Sequence, residues 1–210
     1  MRALITGVNS LVNKAMLAKL VEMGFEVTAH YHSDNDITEL LKKEFADEKV
    51  KFVQADFSSK ESFLNFCGEK KKKKYDVLIN AAVYYAEDNG TEAQLEFDAW
   101  QKNFAVNTTV PGVLMAHGNL AVNEGGVIVN ISSTYGQAHM GDTAFTMYSA
   151  SKAALDSLTM AYAKILSAHK IRVAGIAPGW VESSWNVDMS ASELKEMLVP
   201  QLTGKLVSPE

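Results

Sequence analysis

Tyr148 and Lys152 stand four residues apart, a spacing that places two side chains on one face of a helix. A phenol has an ordinary pKa of about 10 and is a poor acid–base catalyst near neutral pH, whereas a fixed cation beside it stabilises the phenolate. Ser133 ends an apolar run upstream and could hold a carbonyl or hydroxyl oxygen in front of that phenol. The three residues predict a proton-transfer site. The alternative for Tyr148 and Lys152 alone is a solvent-facing helical pair.

Short apolar runs rich in β-forming residues alternate with longer helical patterns along the chain. We expect strands at residues 3–6, 25–31, 50–54, 76–80, 126–132 and 171–177. The alternation predicts a parallel sheet with helices on both faces, a three-layer α/β/α arrangement. No linker divides the pattern, so we predict one doubly wound α/β domain over residues 1–210 that binds ligands beyond the carboxyl ends of its strands.

Thr6 and Gly7 end the first predicted strand and precede a helix expected at residues 14–23. Glycine permits a tight turn at this point, and the backbone N–H groups of the helix start could bind a phosphate. The residues after the first strand are therefore candidates for a phosphate-binding loop.

The second strand ends in His30, Tyr31, His32 and Ser33, where a dinucleotide fold binds the adenosine ribose. An acidic residue at this position would favour NAD, and none stands at the strand end. We expect His30 and His32 to lie at the cofactor rim or on the surface, because no further metal ligands can be placed around them. No metal site is predicted.

Asp56 and Phe57 follow the third strand and have two interpretations. Asp56 could accept a hydrogen bond from an adenine amino group while Phe57 flanks the ring. Alternatively, Asp56 or Ser58 caps the helix that begins near Lys60. The five lysines at residues 70–74 suit the C-terminal end of that helix and predict a solvated face.

Asn107 lies within a helical pattern expected from about residue 104 to 120. Asparagine has low helix propensity, and Pro111 removes a helical hydrogen bond, so we expect a kink nearby. After the sixth strand, residues 177–183 form a loop that could cover a nicotinamide. Residues 184–207, which include Trp185, resemble a lid over the substrate with a short amphipathic helix.

Composition limits the classes of partner and the location. The formal net charge of −5 gives no general attraction to nucleic acid or acidic membranes, and no stretch approaches the length of a membrane span. Cys67 is the sole cysteine of the sequence and cannot form an internal disulfide. We therefore expect a cytoplasmic protein that binds neither nucleic acid nor membranes.

An ordered set of residues resembles the motifs of the short-chain dehydrogenase/reductase family: Thr6, Gly7, Asp56, Asn80, Ala81, Ala82, Asn107, Ser133, Tyr148, Lys152, Pro178 and Gly179. The resemblance implies a Rossmann-like fold and reversible hydride transfer between a nicotinamide and a carbonyl or alcohol substrate. It makes Tyr148 the general acid/base and Lys152 the residue that lowers its pKa and binds the nicotinamide ribose. Ser133 would orient the substrate oxygen, since the family's serine stands three residues before a glycine, here Gly136. Asn107 would support a proton relay.

The same resemblance places a set of residues at the cofactor: Thr6, Gly7, Asn9, Leu11, Val12, His30, Tyr31, His32, Ser33, Asp56, Phe57, Asn80, Ala81, Ala82, Tyr148, Lys152, Pro178, Gly179 and Val181. Leu11, Asn13 and Val83 depart from the family, because each stands where its motifs have glycine. The run from His30 to His32 is similar to that of pteridine-reductase-like members, which favour NADP but carry arginine where this chain has Ser33. We expect NADP, with NAD as the alternative.

The end of the sequence is a further departure, because it stops where the family continues to a seventh strand. The sheet is expected to lack that strand and to leave strand six at an edge. We expect a homodimer through the helices that carry Asn107 and Tyr148. The complete set of four catalytic residues favours an enzyme. The missing glycines keep a second hypothesis open, a cofactor-poor, non-catalytic relative that binds a ligand or partner.

Overall fold

The computed structural model describes residues 1–46, 49–70, 73–86, 93–137, 145–183, 186, 188–199, 201 and 203–209. Six strands within these residues form one parallel sheet in the order β3-β2-β1-β4-β5-β6. Their bounds are β1 Arg2–Thr6, β2 Glu26–Tyr31, β3 Val50–Gln54, β4 Tyr75–Asn80, β5 Val122–Ile131 and β6 Arg172–Ile176. The predicted doubly wound parallel sheet is confirmed, and β6 lies at its edge.

Helices connect the strands and cover both faces of the sheet. Their bounds are α1 Leu11–Glu22, α2 Asp36–Glu44, α3 Lys60–Lys70, α4 Ala93–Phe104, α5 Val110–Ala116, α6 Gly118–Ala121, α7 Thr134–Gln137, α8 Thr146–Ser167 and α9 Ala191–Leu198. Successive residues of a strand face opposite sides of a sheet, and β1 shows this with two buried neighbours. Ile5 packs with α1 and α2 on one face, whereas Leu4 packs with α3, α5 and α8 on the other. The three-layer arrangement follows from these two cores.

Helix α1 begins three residues earlier than the sequence pattern predicts. Ser10 is its N-cap, and the Ser10 hydroxyl accepts a hydrogen bond from the Asn13 N–H at 3.2 Å. An N-cap serine satisfies one of the N–H groups that the first helical turn leaves without a partner. The helix therefore starts directly beside the loop that follows β1.

The helical pattern expected over residues 104–120 is present, and the structure divides it near Asn107 and Pro111. A π-helical turn, Ala105–Thr109, joins α4 to α5, and Pro111 lies in the first turn of α5. Proline is tolerated in a first turn because its missing N–H is one that lacks an intrahelical partner there. The irregularity that Asn107 and Pro111 predicted is thus a π-helical turn.

The chain after β6 folds back on itself. A parallel bridge joins Val181 to Val207, and the Gln201 side chain accepts a hydrogen bond from the Trp180 N–H at 2.7 Å. Helix α9 forms in the segment predicted as a lid, with Ser190 and Glu193 as its capping box. Trp185 of that segment lies outside the described residues. Whether the segment acts as a lid stays a prediction.

The structure bears on two further features of the sequence, the lysine run and the expected absence of a membrane span. Of the lysine run, Lys73 forms an ion pair with Glu26 at 3.3 Å, while residues 71 and 72 lie outside the described part of the chain. Across the described ranges, the structure contains no helix that is both long and apolar enough to span a membrane.

Candidate active site

The strand-end sequence after β5 and the first turns of α8 bring Ser133, Tyr148 and Lys152 together. Ser133 is buried and lowers the pKa of the Tyr148 phenol, whereas the hydroxyl of neighbouring Ser132 points to the Lys152 carbonyl group at 3.5 Å. The Lys152 ammonium lies 5.6 Å from the centroid of the Tyr148 ring and donates a hydrogen bond to the Ile131 carbonyl oxygen at 2.8 Å. The arrangement supports Ser133, rather than Ser132, as the partner of the phenol.

Gly136 lets the α7 turn approach α8 this closely. A Cβ atom at position 136 would lie 2.8 Å from the Lys152 carbonyl carbon and 2.9 Å from the Ala153 nitrogen, both of which are backbone atoms. Real Cβ contacts are longer than this, so any larger residue would push the loop after β5 away from α8. The glycine thus fixes Ser133 opposite Tyr148.

Burial controls the protonation of Tyr148 and Lys152. Burial raises the pKa of the Tyr148 phenol above its ordinary value, although the hydrogen bond with Ser133 works in the opposite direction. Burial also lowers the pKa of Lys152 to about 8, while the negative charge of Asp156 opposes this change. In the protein alone the phenol is therefore harder to ionise than expected from the sequence, because desolvation outweighs the contribution of Ser133.

Asn107 ties the π-helical turn to α8 and to the loop after β4. Its side-chain carbonyl accepts from the Tyr84 N–H at 2.8 Å, and its amide donates to the Tyr84 carbonyl, to Asn103 Oδ1 and to Ser151 Oγ at 2.8–3.0 Å. Ser151 immediately precedes Lys152, and its hydroxyl also donates to the Tyr148 carbonyl oxygen at 2.7 Å. This buried network holds the backbone of the site; a proton relay through Asn107 stays a prediction.

Aromatic rings surround Tyr148 on the side away from the sheet. The ring centroids of Tyr85, Tyr135 and Phe145 lie 6.2, 6.4 and 6.5 Å from that of Tyr148. Trp180 joins the same group, with ring centroids 5.8 Å from Tyr135 and 6.0 Å from Phe145. These distances fall in the range of favourable edge-to-face and offset contacts. We call Tyr85, Tyr135, Phe145 and Trp180 the aromatic cluster.

The loop after β1 is closed against the loop after β4. The Thr6 hydroxyl accepts hydrogen bonds from the N–H groups of Ala81 and Ala82 at 2.9 and 3.0 Å. Gly7 has φ +76°, and a Cβ atom there would lie 2.5 Å from the Ala82 Cα atom. Only glycine fits this backbone conformation and this approach without strain.

Asn13 stands at a family glycine position, and the structure shows what its side chain does. The Asn13 amide donates to the carbonyl oxygens of Gly7 at 2.5 Å and Ala81 at 3.1 Å, and the residue is 5% exposed. The side chain thus joins the same two loops that Thr6 joins. Leu11 is 43% exposed on α1, and Val83 is 41% exposed beside the cavities described next.

Two adjoining cavities lie along the carboxyl ends of the strands. The first, of about 190 Å³, is lined by Ser133, Tyr148, Lys152 and the loop from Pro178 to Val181. The second, of about 510 Å³, is lined by Gly7, Asn9, His30, His32, Asp56 and Phe57. Ser10 and Asn13, at the start of α1, line both. A groove that passes a helix N-terminus fits a dinucleotide, because the helix start can bind its pyrophosphate.

The residues predicted to bind the cofactor at the end of β2 lie in different environments. His32 is exposed and lies 3.6 Å from Asp56, and the neighbouring Ser33 is exposed too. Tyr31 is buried in the core on the α1–α2 side, with the Lys42 ammonium 4.7 Å from its ring centroid. Tyr31 is therefore a core residue, and it is not among the residues that line either cavity.

His30 is not a surface residue, which corrects one of the two positions expected for it. The imidazole is 2% exposed, accepts a hydrogen bond from the Gly7 N–H at 3.1 Å and lies 2.9 Å from the Ala55 carbonyl oxygen. It also stacks on Phe57, with ring centroids 3.7 Å apart. The imidazole therefore supports the loop after β1 beneath the second cavity.

Asp56 is part of a tight turn and not the cap of α3. Its carboxylate accepts hydrogen bonds from the Ser58 N–H at 2.8 Å and the Ser58 hydroxyl at 2.7 Å, while the Ser59 hydroxyl accepts from the Ser62 N–H at the helix start. Partial burial opposes ionisation of Asp56, but the bonds from Ser58 outweigh it and lower the pKa. The expected cap at Asp56 or Ser58 is wrong, and Ser59 takes that place.

The other predicted cofactor residues fall into two groups. Asn80 is buried, and its amide donates to Asn130 Oδ1 at 2.8 Å, so its side chain joins β4 to β5 inside the sheet. Those that line a cavity are Asn9, Val12, Ala81, Ala82, Pro178, Gly179 and Val181. The Pro178 carbonyl accepts from the Thr134 N–H at 3.0 Å, which fixes this loop beside Ser133.

Sequence reasoning missed Asn103, Tyr135, Phe145 and Ser151. Ser151 sits inside the Tyr148–Lys152 pattern and could have been found, because residues one helical turn apart face the same neighbour. Phe145 and Asn103 gave no signal, since their contacts join segments far apart in the sequence.

A doubly wound sheet with a glycine turn after β1 and a Ser–Tyr–Lys set at the end of β5 defines a nucleotide-dependent dehydrogenase/reductase type of domain. Residues 1–194 match the family model described as short chain dehydrogenase, and the chain belongs to that family of oxidoreductases.

Three proteins illustrate the similarity. An uncharacterised oxidoreductase from Thermotoga maritima is 32% identical over 190 residues, which cover 87% of this chain and 72% of that protein. An L-xylulose reductase from Bos taurus is 29% identical over 206 residues, covering 94% of this chain and 80% of that protein. The solved structure of a 4-hydroxyisoleucine dehydrogenase complexed with NADH superposes with a TM-score of 0.85 at 27% identity, covering 99% of this chain and 86% of that one.

Proposed function

We propose that this protein transfers a hydride between a nicotinamide dinucleotide and a carbonyl or alcohol substrate, with Tyr148 as the acid/base. The observation that carries the proposal is that Ser133, Tyr148 and Lys152 line one cavity, beside a groove that fits a dinucleotide.

Ser133, Tyr148 and Lys152 each have a separate role in the proposed carbonyl reduction. A bound reduced nicotinamide supplies a hydride, that is two electrons, to the carbonyl carbon. The Ser133 hydroxyl holds the carbonyl oxygen, and Tyr148 gives its phenolic proton to that oxygen as the alcohol forms. Lys152, the cation nearest the phenol, stabilises the phenolate that remains. Alcohol oxidation reverses each step.

We further propose NADP as the preferred cofactor, with NAD as the alternative. NAD-binding sites place a carboxylate on the adenosine ribose, but Asp34 after β2 and Asp56 after β3 are engaged elsewhere. Asp34 forms an ion pair with Lys42 at 2.5 Å, and Asp56 accepts hydrogen bonds from Ser58.

A panel of neutral aldehydes and ketones, assayed by NADPH oxidation with wild-type protein and Tyr148→Phe, tests the proposed chemistry. General acid catalysis contributes about 10²–10⁴-fold, so the variant should lose at least about 100-fold in turnover while keeping its affinity for NADPH. Turnover in Tyr148→Phe equal to that of the wild type would refute the assignment.

Val83 supports the second candidate, a non-catalytic relative that binds another ligand. Its exposed side chain lines both cavities at a position where the family has glycine. This candidate predicts a folded protein without measurable binding of NADPH or NADH. A Val83→Gly variant that gained such binding would assign the loss to this side chain.

We also propose a homodimer of cytoplasmic location, formed through α4, α5 and α8. Phe97 on α4 and Met160 and Ile165 on α8 are 57–71% exposed in one chain, an apolar surface that a partner copy would cover. Light scattering should give twice the chain mass of 23.0 kDa, and a clean monomer at that mass would contradict the dimer.

A further inference from the structure

The wall of the first cavity is rich in aromatic side chains. Tyr135, Phe145 and Trp180 line it next to Tyr148, so four aromatic rings face the space in front of the reacting hydroxyl. Tyr135, Phe145 and Trp180 pack on one another with ring centroids 4.8–6.0 Å apart and with interplanar angles of 44–87°. A planar ring entering this space would make further contacts of the same edge-to-face and offset kinds.

Four polar side chains of the same cavity are paired within the protein, whereas the buried Trp180 Nε1 has no hydrogen-bond partner within the described part of the chain. Ser10 accepts from Asn13, the Asn13 amide is bound to two carbonyl groups, and Ser132 points to the Lys152 carbonyl. Lys152 itself donates to the Ile131 carbonyl. A substrate with several hydroxyl groups would bury them with few partners, and each buried polar group without a partner costs about 1–3 kcal/mol.

The charges of the cavity wall disfavour substrates that carry a carboxylate or phosphate. Lys152 alone carries a charge among the described residues that line the cavity, and no carboxylate or arginine faces it there. A carboxylate or phosphate on the substrate would lack the bidentate partner that such groups use.

We propose that the substrates are neutral carbonyl compounds that carry one aromatic ring, bound against Tyr135, Phe145 and Trp180 with the carbonyl oxygen at Ser133 and Tyr148. This inference rests on the proposed function. It separates the protein from a sugar reductase, the kind of activity named for its relative from Bos taurus.

Three probes of decreasing fit test it: 1-phenyl-1,2-propanedione, its saturated analogue 1-cyclohexyl-1,2-propanedione, and L-xylulose. The first two are similar in size, so their ratio reports the aromatic contribution and not apolar burial in general. With saturating NADPH, kcat/KM should be about tenfold higher for the phenyl than for the cyclohexyl compound, since aromatic pairs add about 0.5–1.5 kcal/mol each beyond burial. L-xylulose should be slower than both.

Phe145→Leu removes one of the three rings at similar bulk and should lower the phenyl-to-cyclohexyl ratio by at least about twofold without changing the Kd for NADPH. Phe145→Tyr keeps the ring and should keep the ratio, which controls for a general disturbance of the loop.

The outcomes separate the two proposals. Absence of NADPH and NADH binding overturns the proposed function and this inference with it. Cofactor binding overturns the inference alone if the phenyl and cyclohexyl compounds react equally, if L-xylulose reacts faster, or if none of the three reacts.

Discussion

Lys152 is expected to make the stability of the protein depend on pH above neutrality. The residue is 3% exposed, and burial lowers its pKa from 10.5 to about 8, with Asp156 acting in the opposite direction. A change of this size corresponds to about 3 kcal/mol of difference between the charged and neutral forms, at about 1.4 kcal/mol for each pKa unit.

The sign follows from which state loses the proton first. Below about pH 8 the amine is charged in both the folded and the unfolded chain, and the folded protein bears the cost of the buried cation. As the pH rises from about 8 towards 10.5, the folded protein releases this proton first, so the unfolded chain binds more protons and the free energy of unfolding rises. The gain is about 1.4 kcal/mol by about pH 9 and about 2.5 kcal/mol by about pH 10.

Urea unfolding of the wild type and of Lys152→Met from about pH 7 to about pH 10 measures this gain. The difference between the two free energies of unfolding should move in favour of the wild type by about 2.5 kcal/mol. Burial raises the pKa of Tyr148 above its ordinary value of 10.0, so the folded protein keeps this phenol largely protonated over the same pH range. Lys164→Met removes an exposed lysine of the same helix and should show a nearly constant difference. A constant difference for Lys152→Met as well would refute the reasoning.

Three further substitutions test the contacts that position the site, each by urea unfolding. Asn13→Gly restores the family residue but removes two buried hydrogen bonds, so it should lower the free energy of unfolding by about 1–3 kcal/mol; an unchanged or higher value would contradict this. Gly7→Ala, with φ +76° and a Cβ atom 2.5 Å from Ala82, should cost at least about 2 kcal/mol, and a cost below 1 kcal/mol would show that the loop gives way. Ser151→Ala removes a buried partner of Asn107 and should cost about 1–3 kcal/mol, whereas a neutral effect would remove Ser151 from the network.

The strands could be predicted from the sequence because each is a short apolar run bounded by polar residues. Both the first and the last residue of β2, β3 and β4 lie within one residue of the expected positions. The start of α1 was predicted too late, because Leu11 and Asn13 stand at glycine positions and Ser10 is not followed by the glutamate of a capping box. Its N-cap hydrogen bond shows only in the structure.

Some features of the candidate site could also be predicted from the sequence, and others could not. The spacing of Tyr148 and Lys152 on one helix is a local property, so the pair could be predicted from the sequence. The burial of His30 beneath the loop after β1, and the packing of Phe145 against Trp180, depend on contacts between distant segments. No local pattern indicates such contacts. The raised pKa of Tyr148 could not be predicted either, because it follows from the burial of Tyr148 in the folded protein.

A calorimetric titration with NADPH and then NADH, in the same buffer and salt, tests the central claim most directly. The account predicts micromolar binding of at least one dinucleotide, with NADPH preferred, and equal binding by Tyr148→Phe, because the side chain of Asn13 is folded into the loops and leaves the groove open. Absence of heat with both dinucleotides, for a protein that melts cooperatively, would contradict the assignment of the groove as a nicotinamide site.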